Sequence, residues 1–186
     1  MKKFLAVLLT VGLILTVGEG VSFAKEKVLV AYFSYSNNTK NIAEIIAQKT
    51  GGDLFRIEPV KNYPADYEEC KKVASSEKAA KARPQFVGEV ENFEKYDAIF
   101  IGYPIWYGDA PMIIYSFLEK YNFSGKKIIP FCTHGGSGLS STDQQFTLVC
   151  PESKILQGFE MNGKTAQKNF SESEQKVSEW LKKIGY

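Results

Sequence analysis

The sequence predicts an α/β fold, a doubly wound parallel sheet of five strands in the order 2-1-3-4-5. Short apolar runs alternate with amphipathic segments from residue 27 to the end, which is the pattern of strands and helices in such proteins. The runs at 28–33 and 98–101 are apolar at every position. This is expected of parallel strands that helices cover on both faces. We found no repeat or linker, so we expect one domain over residues 25–186.

The elements follow from local signals. Gly51 and Gly52 end the first helix in the manner of C-terminal caps. Pro84 ends the second helix, and Pro111 opens the third at its first turn. The predicted strands are at 28–33, 53–60, 96–103, 127–132 and 154–159. The predicted helices are one between the 34–39 turn and Gly51, one that opens at Pro111 in a unit ending at Ser124 and Gly125, and helices at 66–83, 142–149 and 171–184, with an exposed connection at 85–95.

The first 24 residues have the pattern of a secretory signal. Lys2 and Lys3 precede an apolar run over residues 4–17, and Ser22 and Ala24 place small residues where a signal peptidase cleaves. A retained membrane anchor is the alternative, although the run is shorter than the roughly 20 residues that span a bilayer. We expect cleavage after Ala24, export by the general secretory route, and a cell-surface or extracellular location in a bacterium. We expect membrane contact only through this segment before cleavage.

Charge and cysteine content exclude several classes of protein. The net charge is +2, and removal of residues 1–24 leaves 21 basic and 20 acidic residues. This balance gives no reason to expect nucleic-acid binding. Cys70, Cys132 and Cys150 are odd in number and widely spaced, unlike a disulfide framework. Cys132 and Cys150 can pair only if they meet in space. A buried free thiol is the other interpretation of Cys132.

The turn at 34–39 is a candidate phosphate site. It presents hydroxyls, amides and backbone N–H groups at the start of a helix, where unpaired N–H groups and the helix dipole favour an anion. The turn has no Gly-Lys-Ser/Thr and no glycine, which excludes a Walker A loop or a dinucleotide fingerprint there. The alternative is that Asn38 or Thr39 merely caps the helix. The candidate phosphate ligands are Ser34, Ser36, Asn37, Asn38 and Thr39.

Two further loops have unusual compositions. The loop after the third strand contains Trp106 and Tyr107 between Gly102 and Gly108. Its tryptophan either plugs the core or offers a ring for stacking on a planar ligand. The glycine-rich loop after the fourth strand can aim backbone N–H groups at ring carbonyls, or it is simply a flexible turn. In a sheet of order 2-1-3-4-5 these loops and the 34–39 turn meet at the switch point, where ligands bind.

The phosphate-binding turn, the aromatic loop and the backbone N–H groups of the third loop match flavin mononucleotide (FMN). This cofactor has a phosphate, a planar tricycle and a polar pyrimidine edge. At these residues the sequence resembles the flavodoxin family over essentially residues 25–186. Tyr63-Pro64 followed by a charged helix also resembles one bacterial subgroup of flavodoxin-like proteins. The resemblance implies FMN as cofactor, Trp106 or Tyr107 stacked on the flavin, and Asp109 as a nearby negative charge. The implied cofactor contacts, besides the phosphate ligands, are Pro104, Ile105, Trp106, Tyr107, Gly108, Thr133, His134, Gly135, Gly136, Ser137 and Gly138.

Three hypotheses follow for function. The first is an electron carrier, with no catalytic residues of its own, that serves a redox partner protein or a small-molecule acceptor. The second is an FMN-dependent NAD(P)H:quinone-type reductase, and the third is a surface binding module without flavin. Electron-carrier flavodoxins are typically strongly acidic and lack a signal sequence, so we expect a different partner here.

His134 is the only histidine, two residues from Cys132. A Cys/His nucleophile is conceivable, but no third group is evident. The sequence supplies no further ligands for a metal site around His134. We expect His134 to be a loop residue near the flavin edge, and proton donation to the reduced flavin is a second hypothesis.

Overall fold

The computed structural model describes residues 26–186, and the predicted signal segment at 1–24 lies outside the described residues. No helix between residues 26 and 186 is both long and apolar enough to cross a bilayer. The strands are β1 (Val28–Tyr32), β2 (Asp53–Arg56), β3 (Glu58–Pro59), β4 (Phe86–Val87), β5 (Ala98–Pro104), β6 (Lys127–His134), β7 (Lys154–Ile155) and β8 (Phe159–Asn162). The helices are α1 (Asn38–Thr50), α2 (Tyr67–Ala79), α3 (Met112–Lys120), α4 (Thr142–Val149), α5 (Gly163–Lys168) and α6 (Phe170–Ile184).

The main sheet is parallel and runs β2-β1-β5-β6-β7, which confirms the predicted order 2-1-3-4-5. The predicted fifth strand is divided in two. β7 pairs with the start of β6, and β8 pairs with residues 131–134 at its end. Pro130 lies between these two stretches of pairing. Because proline has no N–H to donate, we attribute the break in the ladder to this residue.

Side chains that alternate along the central strands fill two cores. Leu29, Ile99 and Ile101 belong to the core on one face, with α3 and α4. Val28 and Phe100 belong to the other core, with α1 and α6. This confirms that the central strands are covered on both faces. Their carboxyl ends are therefore held at one edge of a buried sheet, and the three loops project from that edge.

The segment between β2 and β5 departs from the predicted pattern. β3 and β4 form a small antiparallel pair, and Val90 and Phe93 are buried. The Phe93 ring stacks on Tyr121 with centroids 4.4 Å apart. The prediction of an exposed connection is therefore wrong for these residues. Helix α2 ends at Ala79 rather than residue 83, and Lys81 has a positive φ of 47° just beyond it. Helix α5 was not predicted.

Candidate functional site

The three loops predicted to form the site lie together. Strands β1, β5 and β6 are neighbours in the sheet, so their carboxyl ends share one edge. Thr39 and Thr133 join the first loop to the third through hydroxyls 2.9 Å apart. The Ile105 N–H joins the second to the third by donating to the Thr133 carbonyl at 2.8 Å. The Tyr35 and Trp106 ring centroids are 5.8 Å apart, which joins the first to the second.

The start of α1 has unpaired backbone donors. Asn37 is the N-cap residue, at φ 64°, and its side chain accepts no capping bond. The Ser34 hydroxyl accepts from the Lys40 N–H at 3.2 Å, whereas the Thr39 hydroxyl is committed to Thr133. The interpretation that Asn38 or Thr39 only caps the helix therefore does not describe this turn. Within residues 26–186, the N–H groups of Asn38 and Thr39 have no hydrogen-bond partner. Such donors at a helix start suit an anion.

Two buried polar atoms near this turn also lack partners among the described residues. They are Oδ1 of Asn38 and Nδ1 of His134. The Asn38 amide lies next to Gly163, where an added Cβ would come within 2.9 Å of its Nδ2 atom and 3.7 Å of the His134 carbonyl oxygen. A buried unpaired polar atom costs roughly 1–3 kcal/mol. A polar ligand with hydroxyl groups beside its anion would remove that cost.

Arg56 adds a positive charge beside the first loop. Its guanidinium donates to the Ser34 carbonyl at 3.5 Å and lies 3.2 Å from the Glu58 carboxylate. A groove of ≈ 590 Å³ lies here, with Phe33, Ser34, Tyr35, Arg56 and Tyr63 among its lining residues. We did not predict Arg56 as a site residue. The available signal was the position of β2 beside β1, which places the end of β2 next to the first loop.

The second loop is a tight turn that fixes Trp106. Trp106 and Asp109 exchange backbone hydrogen bonds of 2.9 and 3.1 Å, and the residues between them have positive φ angles, 52° for Tyr107 and 73° for Gly108. Two consecutive positive φ angles define a type I′ turn, which favours glycine. Trp106 is partly buried, whereas Tyr107 is 52% exposed. The turn therefore presents two aromatic rings at the carboxyl edge of the sheet.

Trp106 packs into an aromatic cluster and stays partly exposed. Its ring makes edge contacts with Phe33, Tyr35 and Tyr63 at centroid distances of 5.5, 5.8 and 5.0 Å. These contacts place Trp106 in a cluster of four aromatic rings, which fixes its position. Tyr63 was recognised only as part of a turn. Its hydroxyl donates to Glu77 of α2 at 2.8 Å, which fixes it against Trp106.

Asp109 stabilises the turn. Its Oδ1 atom accepts from the Tyr115 hydroxyl at 2.6 Å, and its Oδ2 atom lies 3.7 Å from the Lys78 ammonium. Lys78 also donates to the Tyr107 carbonyl at 2.7 Å. Burial, together with the bond to Asp109, raises the pKa of Tyr115. Because Lys78 offsets the carboxylate charge, Asp109 is a weaker source of negative potential than its sequence position suggests.

The backbone of the third loop is open to solvent on the side where a side chain would stand. A Cβ added at Gly135, Gly136 or Gly138 would meet no atom within 4 Å, and Gly136 and Gly138 have φ angles of 148° and 63°. At its base, the Cys132 thiol donates to the Gly138 carbonyl at 3.6 Å. Ser137 lies between these glycines at the exposed tip. Substitutions at Gly136 and Gly138 meet backbone strain rather than a steric clash.

His134 is paired with an acid that we did not predict. Its Nε2 atom is hydrogen-bonded to the Glu160 carboxylate, and its side chain is 8% exposed. Burial, and secondarily the charge of Glu160, raises the pKa of the Cys132 thiol to about 12. Such a thiol is protonated at neutral pH, and its hydrogen bond goes to Gly138 rather than to His134, so the structure does not support a Cys/His nucleophile. Cys132 and Cys150 do not pair, since all three cysteines are free.

A further motif lies outside the predicted loops. Residues 158–165 read Gly-Phe-Glu-Met-Asn-Gly-Lys-Thr and match the Walker A pattern by letter. In a true P-loop the residues between the glycines wrap around phosphate. Here Phe159–Asn162 form strand β8, paired along β6. This segment therefore has no phosphate-wrapping loop. Among residues 26–186, no group of three or more His, Cys, Asp or Glu side chains could hold a metal ion.

Comparison with known proteins gives a consistent result. The flavodoxin family model matches residues 27–184. A Bacteroides eggerthii protein assigned as a flavoprotein is 32% identical, with 86% of this chain and 98% of that chain covered and a TM-score of 0.72. A similarly assigned protein of Bacteroides uniformis is also 32% identical, with 86% and 99% covered and a TM-score of 0.74. The comparison with curated proteins gave no significant match.

A more distant structure shares the fold. It is a flavoprotein in complex with FMN from Lactobacillus acidophilus, 22% identical, with 77% of this chain and 97% of that chain covered and a TM-score of 0.66. The family model covers nearly all of the described residues, and the site loops lie where the fold places ligands. By sequence and by structure, the chain belongs to the flavodoxin family.

Proposed function

We propose that this protein binds FMN at the three loops and transfers electrons through it. The observation that carries the proposal is the meeting of unpaired N–H groups at the start of α1 with the aromatic turn of Trp106 and Tyr107. A phosphate at one end and a planar ring at the other describe a flavin mononucleotide. The FMN complex of the Lactobacillus acidophilus flavoprotein has the same fold, which supports this choice of cofactor.

Each group has a role that follows from its surroundings. The N–H groups of Asn38 and Thr39 hold the phosphate, and Arg56 adds positive charge beside them. The unpaired Asn38 Oδ1 and His134 Nδ1 atoms are available to ribityl hydroxyls or to the polar ring edge. Trp106 provides an aromatic wall, and the open backbone of residues 135–138 provides N–H donors. Bound FMN supplies reversible uptake of one or two electrons, while the chain sets its affinity and environment.

Electron carrier and NAD(P)H:quinone-type reductase remain the two candidate activities. The carrier is favoured because the two candidate reactive side chains beside the third loop are engaged by their surroundings. His134 is held by Glu160, and burial and Glu160 keep Cys132 protonated. The reductase is favoured by an aromatic-lined cavity of ≈ 180 Å³ beside Trp106. We place the carrier first.

We further propose that the protein works outside the cytoplasm. The basic start, the short apolar run and the small residues at 22 and 24 support export by the general secretory route. Fractionation of expressing cells, followed by N-terminal sequencing, tests this. A mature chain that begins at Lys25 outside the cytoplasm supports export, and an uncleaved cytoplasmic chain contradicts it.

Titration of the FMN-free protein with FMN, followed by quenching of flavin fluorescence, tests the cofactor assignment. We expect saturable binding, with riboflavin bound much more weakly because it lacks the phosphate. No binding at micromolar FMN would contradict the proposal. Steady-state turnover of NAD(P)H with a quinone then separates the activities. Turnover identifies a reductase, whereas reversible reduction without turnover identifies a carrier.

A further inference from the structure

A small cavity lies between the aromatic turn and helix α2. Its volume is ≈ 180 Å³. The first and second loops contribute Tyr35, Trp106 and Tyr107 to its lining, and α2 contributes Tyr67, Cys70, Lys71 and Ala74. An apolar cavity of about 150 Å³ holds one benzene molecule, and sites for drug-sized ligands start at about 300 Å³. The cavity therefore suits a single six-membered ring and is too small for the flavin tricycle.

The polar groups around the cavity are already committed. The Tyr35 hydroxyl donates to the Pro64 carbonyl at 2.6 Å, and the Tyr107 hydroxyl donates to the Lys71 carbonyl at 3.1 Å. Burial raises the pKa of the Cys70 thiol, which favours its uncharged form. With these hydroxyls bonded and this thiol neutral, the lining favours aromatic surface over charge.

Lys71, the charged residue that lines the cavity, is paired with a neighbouring acid on α2. The Lys71 ammonium lies 2.9 Å from the Glu68 carboxylate and 5.0 Å from the centroid of the Tyr67 ring. One residue further along α2, Lys72 pairs with Glu69 at 2.8 Å. A charged ligand inside would lose hydration without gaining a free counter-charge, which is unfavourable. Tyr67 is 67% exposed at the mouth of the cavity, an apolar entrance for a neutral aromatic molecule.

We propose that this cavity binds a neutral single-ring aromatic molecule, such as a phenol or a monocyclic quinone, separately from the flavin. Trp106 and Tyr107 line the cavity and are also the residues that we expect to contact the flavin. The molecule bound there is therefore next to the redox site. Its role as an acceptor rests on the proposed function, whereas its binding to the cavity does not.

The two tryptophans give a direct test in the FMN-saturated protein. Trp106 lines the cavity, whereas the Trp180 indole N–H donates to the Gln157 carbonyl at 3.0 Å, packed against Phe100 and Phe159. With 4-fluorophenol as the probe, we expect the Trp106 indole signal in a ¹H–¹⁵N spectrum to shift and saturate, and the Trp180 signal to stay fixed.

Two substitutions on α2 form a matched pair. Ala74→Leu places extra carbons in the cavity and should abolish the saturable shift. Ala79→Leu makes the same change at an exposed position of the same helix and should leave it unchanged. If Ala74→Leu fails to fold, the test is the wild-type titration alone, in which the Trp106 signal should shift and the Trp180 signal should not. No saturable Trp106 shift overturns the proposal.

The same titration without FMN separates the two proposals. Saturable 4-fluorophenol binding both with and without FMN supports an independent cavity. Binding without FMN that FMN abolishes shows that the cavity belongs to the flavin site, and it overturns this inference while supporting the cofactor assignment. If the protein fails to bind FMN, the proposed function is contradicted, and the Trp106 shift in the FMN-free protein still decides whether the cavity binds the probe.

Discussion

The two tryptophans, Trp106 and Trp180, show how the same side chain serves two purposes in one fold. Trp180 is 7% exposed on α6, with its N–H bonded to a carbonyl and its ring packed against Phe100 and Phe159. Trp106 sits on a type I′ turn and packs at steep ring angles against three aromatic residues. The ring and the N–H of Trp180 therefore both have partners inside the protein, whereas Trp106 is held in place and is still partly exposed. Rigid positioning with surface left over is what a planar ligand requires.

The largest expected effect is the difference in stability between variants that remove Trp180 and variants that remove Trp106. Trp180→Ala should lower the free energy of unfolding by about 3–5 kcal/mol, since it empties a buried aromatic site. Trp106→Ala should cost less stability but weaken FMN binding, because a stacked ring contributes about 1 kcal/mol beyond burial. Urea denaturation and FMN titration of both variants measure this. The comparison fails if the two variants have equal effects on FMN affinity, and Trp180→Phe serves if Trp180→Ala does not fold.

An intermediate effect concerns the hydroxyl pair of Thr39 and Thr133. Both residues are buried. Thr39→Val leaves one hydroxyl without its partner and should cost about 1–3 kcal/mol of stability. Adding Thr133→Val removes the unpaired hydroxyl and should restore most of the loss. Urea denaturation of wild type, both single variants and the double variant measures this.

The same double variant distinguishes a structural pair from a binding role. If a Thr39 hydroxyl contact reaches bound phosphate, FMN affinity stays reduced, by about tenfold, after stability is restored. Riboflavin affinity should not change, because riboflavin lacks the phosphate. Equal FMN affinity in wild type and double variant would show that the Thr39 side chain supports the loop without contacting the cofactor.

The smallest expected effect tests the buried core rather than the site. Burial raises the thiol pKa of Cys132 to about 12 and that of Cys150 to about 11, from an ordinary value of 9.0. Between pH 9 and 11 the unfolded chain therefore releases these protons before the folded chain does. Stability must fall as pH rises, by about 1.4 kcal/mol per thiol at pH 10.

Urea denaturation under reducing conditions from pH 8 to pH 10.5 measures this loss. Cys132→Ala should show a shallower decline than wild type over this range. Identical slopes for the two proteins would mean that Cys132 ionises as easily in the folded chain as in the unfolded chain. The buried Tyr103, whose pKa burial also raises, adds a decline of the same sign to both proteins.

The local sequence pattern predicted the central strands of the sheet, but it did not predict the edge strands or the connection between β2 and β5. The continuous apolar runs of β1 and β5 predicted buried central strands, and the alternation of strands with helices predicted a parallel sheet. The break between β7 and β8 was missed because it depends on Pro130 in a neighbouring strand. Val90 and Phe93 were taken as exposed because their partners, such as Tyr121, lie on another element.

The candidate site could likewise be predicted only in part from the local sequence. The three loops were recognisable by composition, and they do lie together at one edge of the sheet. Arg56, Tyr63 and Glu160 were missed as site residues because they reach the loops from β2, the following turn and β8. Such contacts join residues far apart in the chain, and periodicity carries no information about them. Whether the predicted loop residues contact FMN stays a prediction.

The most direct test follows both indole N–H signals while FMN is added to the FMN-free protein. The chain has only two tryptophans, so the two signals report the site and the core separately. We expect the Trp106 signal to shift and saturate together with flavin fluorescence quenching, while the Trp180 signal stays in place. Saturable FMN binding with an unchanged Trp106 signal would contradict the central claim that the turn of Trp106 forms the flavin site.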